Sequence, residues 1–108
     1  SKGFVGGLMY IYKKIYISKK LKFSYRRNLK WISRNISRKS IYLIVCPQNG
    51  KIEIVHNIFY IRQYDCDTKV LGIAESKSAA IELMKDIVSD IYVHKKDIFD
   101  KELYKNFK

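Results

Sequence analysis

The feature that most constrains this chain is the Asn49-Gly50 dipeptide and what flanks it. Residues 41–46 read Ile-Tyr-Leu-Ile-Val-Cys, and residues 51–55 read Lys-Ile-Glu-Ile-Val. Both are β-branched, strand-favouring runs, and Pro47 and Gln48 lead into an Asn-Gly pair that tolerates the positive φ a tight hairpin demands. The pattern predicts an antiparallel hairpin between the two runs. A lone hairpin is marginal in water, so other elements must cover it. Residues 58–64 read as an extension or third strand, 65–68 as a turn, and 69–74 as a further strand. Ser76 then stands where a helix N-cap belongs, its hydroxyl able to accept an orphan backbone N–H. Beyond it, residues 77–92 place Ala80, Met84, Ile87 and Ile91 on one stripe, widened by Ile81 and Val88, with Met84 as adaptable core filling. This helix is expected to pack on the sheet. A short last helix from about residue 97 would carry Phe99, Leu103 and Phe107 at spacings of four.

Upstream of the hairpin the chain has another character. Residues 9–25 are rich in Tyr and Ile, with Leu21, Phe23 and Tyr25 alternating against Lys20, Lys22 and Ser24, which reads as strand with a break at 18–20. Residues 26–38 read as a helix, because Tyr25, Leu29, Ile32 and Ile36 recur at four, three and four. Arg27, Trp31, Arg34 and Arg38 repeat the same spacing on the opposite side. Burying the apolar stripe would turn an indole and three guanidinium groups outward. The expected fold class is therefore α+β: a basic amino-terminal segment with an amphipathic helix, then a small antiparallel sheet covered by a carboxy-terminal helix and a short last helix.

Charge divides the chain at the same place. The 108 residues hold 22 Lys and Arg against 10 Asp and Glu, a net charge of +12. Residues 1–40 carry twelve of the basic residues and no acid, whereas residues 41–108 hold ten of each sign. The organisation read from this is a basic segment, 1–40, joined to a neutral core, 41–108, the two packing as one domain. A concentrated cationic field attracts polyanions and repels itself until something neutralises it. Nucleic acid, DNA or RNA, is the partner this composition favours, bound through Arg26, Arg27, Lys30, Trp31, Arg34 and Arg38. Arg and Lys would neutralise phosphates, and the indole would stack on a base or against a guanidinium. Tyr10, Tyr12, Tyr16 and Tyr25 offer further stacking surface or serve as ordinary strand residues. The second reading is a protein-interaction module, encoded by a phage or mobile element, that docks on an acidic protein partner. Attachment to an anionic membrane surface ranks third.

Catalysis has little in its favour. A nucleophile needs a base within reach, and His56 and His94 are the near-neutral bases on offer. Cys46 and His56, ten residues apart around the Asn-Gly turn, are the one pairing that facing strands could bring together. Asp65 and Asp67 read as turn residues. The glycines at 3, 6 and 7 form no phosphate-binding loop. Cys46 and Cys66 have no metal-ligand spacing and read as free thiols of a cytoplasmic bacterial protein, so neither metal nor cofactor is expected, nor a small-molecule substrate. The apolar stretch 3–12 is too short to span a bilayer.

The stretch 41–92, with its hairpin, Val-Leu-Gly-Ile-Ala at 70–74, a helix containing Ala80, and Asp90-Ile91-Tyr92, resembles a group of short uncharacterised proteins of low-GC Gram-positive bacteria. That resemblance implies no activity. Sixteen Ile and seventeen Lys against three Ala fit an AT-rich coding source. Residues 26–92 are also similar to double-stranded-RNA-binding domains in their helix, three strands and helix. In that family a Ser-Lys-Lys-x-Ala-Lys motif opens the last helix and grips phosphates across a groove. Here the stretch is Ser76, Lys77, Ser78, Ala79, Ala80, Ile81, which retains the Ser, the first Lys and the Ala. The arm-binding domains of tyrosine recombinases, three strands and a helix, are similar at the same level.

Overall fold

A computed structural model describes residues 9–33, 39–47, 50–57, 68–98 and 100–107. The order is β1 (Met9–Ile17), a 3-10 turn (Lys19–Leu21), α1 (Tyr25–Ser33), β2 (Tyr42–Cys46), β3 (Glu53–His56), β4 (Lys69–Ala74), α2 (Lys77–Tyr92), a second 3-10 turn (Lys101–Leu103) and β5 (Tyr104–Phe107). The class is α+β. The five described strands form one sheet in the order β3-β2-β4-β1-β5, with α1 on one face and α2 on the other.

The hairpin forms as its sequence requires. β2 and β3 pair antiparallel from Tyr42 opposite His56 to Val45 opposite Glu53. Gly50 sits at φ 82°, and its N–H reaches the Pro47 carbonyl at 2.9 Å, closing the turn. This is left-handed backbone of the kind glycine adopts without strain. Asn57 closes the other end: its N–H bonds the Ile41 carbonyl at 2.8 Å, and its side-chain amide reaches the Lys39 carbonyl at 2.9 Å. Residues 58–67, the expected third strand and most of the turn after it, lie outside the described residues, as do Gln48 and Asn49.

The sheet is wider than the expected small antiparallel one and is mixed. β1 enters its interior, parallel to β4 and antiparallel to β5. The expected strand over 9–25 therefore holds only to Ile17. There the Ser18 N–H caps the ladder on the Ile73 carbonyl at 3.1 Å, and short-range bonds from Leu21 to Ser18 and from Ser24 to Leu21 wind the chain into a turn. Alternation at Leu21, Phe23 and Tyr25 does not survive: Leu21 is buried, Phe23 is 99% exposed and Tyr25 is half-buried. Without a partner strand, turn geometry satisfies this backbone better.

A second correction concerns the chain's other end. Of the residues expected on a last helix, Leu103 ends the second 3-10 turn, Phe107 lies in a strand, and Phe99 falls outside the described residues. Residues 104–107 form β5 on the free edge of β1, with Ile11 opposite Lys105 and Tyr12 opposite Tyr104. The Tyr104 hydroxyl donates to the Ile98 carbonyl at 2.6 Å. An open strand edge offered these residues paired backbone bonds, and that outweighed a four-residue period too short to nucleate a helix.

Two cores result. Between α1 and the sheet, Leu29 and Ile32 of the helix meet Ile11, Leu21, Leu43, Val70 and Ile73. Facing α2 are Tyr12, Ile44, Leu71, Ala74, Ala80, Ile87 and Ile98. Along β4, Val70 and Ile73 serve one core while Leu71 and Ala74 serve the other, which strict alternation forbids. The register shift between Ile44 and Val45, opposite Gly72 and Val70, supplies the extra residue;. Gly72 fills a place no side chain could take: a Cβ there would lie 2.9 Å from the Ile44 side chain and 3.2 Å from the Tyr16 carbonyl.

α2 matches its expected bounds, and the Ser76 hydroxyl accepts from the Ala79 N–H at 3.1 Å. Its phase differs. Ala80 and Ile87 are buried and Leu83 and Ile91 pack beside them, while Ile81 and Val88 are exposed and Met84 lines a shallow groove with them rather than filling the core. No described helix is long and apolar enough to cross a membrane.

Candidate nucleic-acid interface

α1 is held by its buried stripe. Leu29 and Ile32 lie against the sheet, Tyr25 packs beside them, and the Asn28 N–H closes the first turn on the Ser24 carbonyl at 3.0 Å. With that face buried, Arg26, Arg27 and Lys30 are exposed and Trp31 is half-buried. The Arg27 guanidinium lies 5.4 Å from the centre of the Trp31 ring. This is cation–π range, and it places a planar cation and the indole together at the surface. Arg34 and Arg38, with Ile36 of the apolar stripe, lie outside the described residues.

Arg26 folds back on its neighbour: its Nε donates to the Tyr25 hydroxyl at 3.2 Å, and its guanidinium stands 5.8 Å from that ring. The hydrogen bond to Tyr25 raises the guanidinium's already high pKa, so it stays charged. α1 has no acid in its first turn, where Arg26 and Arg27 sit instead. That opposes the helix dipole, and an anion bound there would relieve it.

The cationic surface extends past the residues read from periodicity. Lys13, Lys14, Lys19, Lys20 and Lys22 are also exposed, so all eight cations of residues 9–33 face solvent. Phe23, in the same stretch of sequence as Lys19, Lys20, Lys22 and Arg26, projects almost wholly into water. Sequence reading missed it because alternation put it on a strand face. The signal available was its place between Lys22 and Ser24, just before a helix.

The tyrosines of β1 take the structural role. Tyr12 is buried, and Tyr12 and Tyr16 stack at 6.3 Å on the α2 side. The Lys96 ammonium lies 5.3 Å and 5.1 Å from their rings and donates to the Tyr16 hydroxyl at 3.2 Å. The Tyr16 hydroxyl donates to the Asp90 carboxylate, and the Ser18 hydroxyl to that of Glu75. Burial and the Asp90 hydrogen bond push the Tyr16 phenol up, so it remains a donor near neutrality. These contacts tie β1 and its following turn to α2 and its approach.

Cys46 and His56 do not meet. His56 lies opposite Tyr42 and meets its ring edge-on at 5.1 Å, whereas Cys46 ends β2 at the far end of the hairpin, opposite Lys69. Cys46 is a buried free thiol, pushed up in pKa by burial, and Cys66 lies outside the described residues. The described residues hold no group of three His, Cys, Asp or Glu side chains placed to bind a metal. No protein-family model matches the chain, and neither a curated protein nor a solved structure matches it significantly.

Proposed function

We propose that this protein binds nucleic acid, without catalysis, through the basic surface of α1 and the turn that precedes it. The observation that carries the reading is the almost fully exposed Phe23 in a stretch of sequence that holds the exposed Lys19, Lys20, Lys22 and Arg26 and leads into the Arg27–Trp31 pair. The cations neutralise phosphates and release condensed counterions, and the exposed ring stacks on an unpaired base. A membrane surface is served less well, because interfacial helices insert a broad apolar face, whereas the apolar face of α1 is buried against the sheet;. An acidic protein would satisfy the cations and could receive Phe23 in an apolar pocket, and the substitutions below separate it from a base-stacking partner.

The test is fluorescence anisotropy of labelled single- and double-stranded DNA and RNA over a salt series. Four to six phosphate contacts to duplex give a slope of about −4 to −5 for log affinity against log salt. Arg26→Ala with Arg27→Ala flattens that slope and leaves the fold intact, since neither side chain belongs to the buried stripe. Phe23→Ala weakens single-stranded binding by about 1–3 kcal/mol, as for loss of one base-stacking aromatic. Binding no tighter than roughly 10⁻⁴ M, the weak end of non-specific affinity, sinks the proposal. Equal affinity of wild type and Phe23→Ala for single strands removes the stacking role and leaves an ionic one.

A further inference from the structure

Between the first turn of α1, the middle of β1 and the edge strand β5 lies a cleft of about 80 Å³. Ile11 and Leu29 contribute buried apolar wall, and Lys13, Arg26 and Lys105 bring three positive charges from three separate elements. No carboxylate lines it. The convergence follows from topology. Lys105 pairs opposite Ile11, so both side chains share the α1 face of the sheet, and Lys13 comes from the same strand two residues on;. Arg26 reaches the cleft from the helix with its Nε already engaged by the Tyr25 hydroxyl, which leaves its terminal amino groups as the donors to offer;.

Three like charges around a recess with apolar walls repel one another, and an anion seated between them relieves that repulsion. The space exceeds that of a single water;. It suits one tetrahedral oxyanion whose remaining substituents stay outside. We propose that this cleft is a phosphate-ester subsite formed by Lys13, Arg26 and Lys105, which receives one phosphate of the strand bound on the neighbouring α1 surface. The assignment of a nucleic-acid ligand rests on the function proposed above. The affinity of the cleft for a phosphate group does not.

The experiment has two arms on the intact chain. In the first, inorganic phosphate is titrated while amide chemical shifts are followed. Saturable shifts are expected at Lys13, Arg26 and Lys105, and their loss in Lys105→Ala. Signals that do not move, or that move without saturation at about tenfold the concentration of an ordinary millimolar site, overturn the subsite. In the second arm, anisotropy compares 5′-phosphorylated with 5′-hydroxyl single strands, using Lys105→Ala and, as a charge-matched control, Lys77→Ala at the exposed start of α2. Lys105→Ala is expected to cost about tenfold in affinity, the worth of a hydrogen bond to a charged group, and to lower the salt slope by about one. Lys77→Ala is expected to cost little. A difference confined to 5′-phosphorylated strands assigns the subsite to a chain end, and an equal loss with both strands assigns it to an internal phosphate. Equal effects of the two lysine substitutions overturn the proposal. Phosphate binding in the first arm with no strand binding in the second keeps the subsite and rejects the nucleic-acid reading.

Discussion

The helices α1 and α2 cover opposite faces of one sheet and are built by opposite means. α2 runs sixteen residues behind a hydroxyl N-cap, with Ala80 and Ile87 fully buried against β2 and β4. α1 has nine described residues, Arg26 and Arg27 in a first turn without an acid, and cations over its outer side. Within the described residues, Leu29 and Ile32 are the buried side chains that hold α1 on the sheet. The contrast separates a face that stabilises from a face that carries charge. Surface chemistry that would weaken a helix is concentrated on the one whose attachment is tertiary.

The largest effects test that separation directly. Ile87→Ala is expected to lower global stability by about 2–5 kcal/mol, the range for truncating a buried isoleucine, read by urea denaturation. Leu29→Ala is expected to cost less globally and to accelerate amide hydrogen exchange within α1 first, because local openings cost less than global unfolding. Equal global losses with no local exchange in α1 would break the comparison. Next in size, Ser76→Ala removes the α2 cap and is expected to cost about 1 kcal/mol in the same denaturation assay.

The smallest effect is a pH dependence on the α2 side. Burial raises the Cys46 thiol above its ordinary value of 9.0, and burial likewise raises the Tyr104 phenol. Both groups resist ionisation in the folded chain, so the unfolded chain gives up these protons first. The stability they contribute is complete below the ordinary thiol value and falls as pH rises through it and then through the tyrosine range. Denaturation midpoints are expected to decline from pH 8 upward, and Cys46→Ala to flatten the first part of the decline. A midpoint that stays constant to pH 10.5 would remove both groups from the account.

How much of this was legible depends on how local each determinant is. The hairpin, β4 and α2 with its cap rest on neighbouring residues, and sequence places them correctly. The phase of α2 was harder, because Ala80, Leu83, Ile87, Ile91 and Ile81, Met84, Val88, Tyr92 are two overlapping stripes of similar spacing. Only the sheet beneath decides between them. β1 in the sheet interior, β5 on its edge and the cleft that joins Lys13, Arg26 and Lys105 all depend on pairings across most of the chain, which no local pattern records. At the candidate site, Arg26, Arg27, Lys30 and Trp31 followed from helical spacing. Phe23 did not, because alternation cannot tell a strand from a turn that happens to alternate.

The interior position of β1 also bears on how the chain reaches its fold. During synthesis, residues 9–17 emerge well before residues 69–74 and 104–107, the strands that flank them in the sheet. Parallel pairing at such separation closes slowly, and an unpaired strand rich in Ile and Tyr invites association with other chains in the interval. Lys13 and Lys14 interrupt that strand, and Lys19, Lys20 and Lys22 follow it at once. Like charges on such a segment act as gatekeepers against self-association. The same lysines that face solvent in the folded protein therefore protect a nascent chain waiting for its partners.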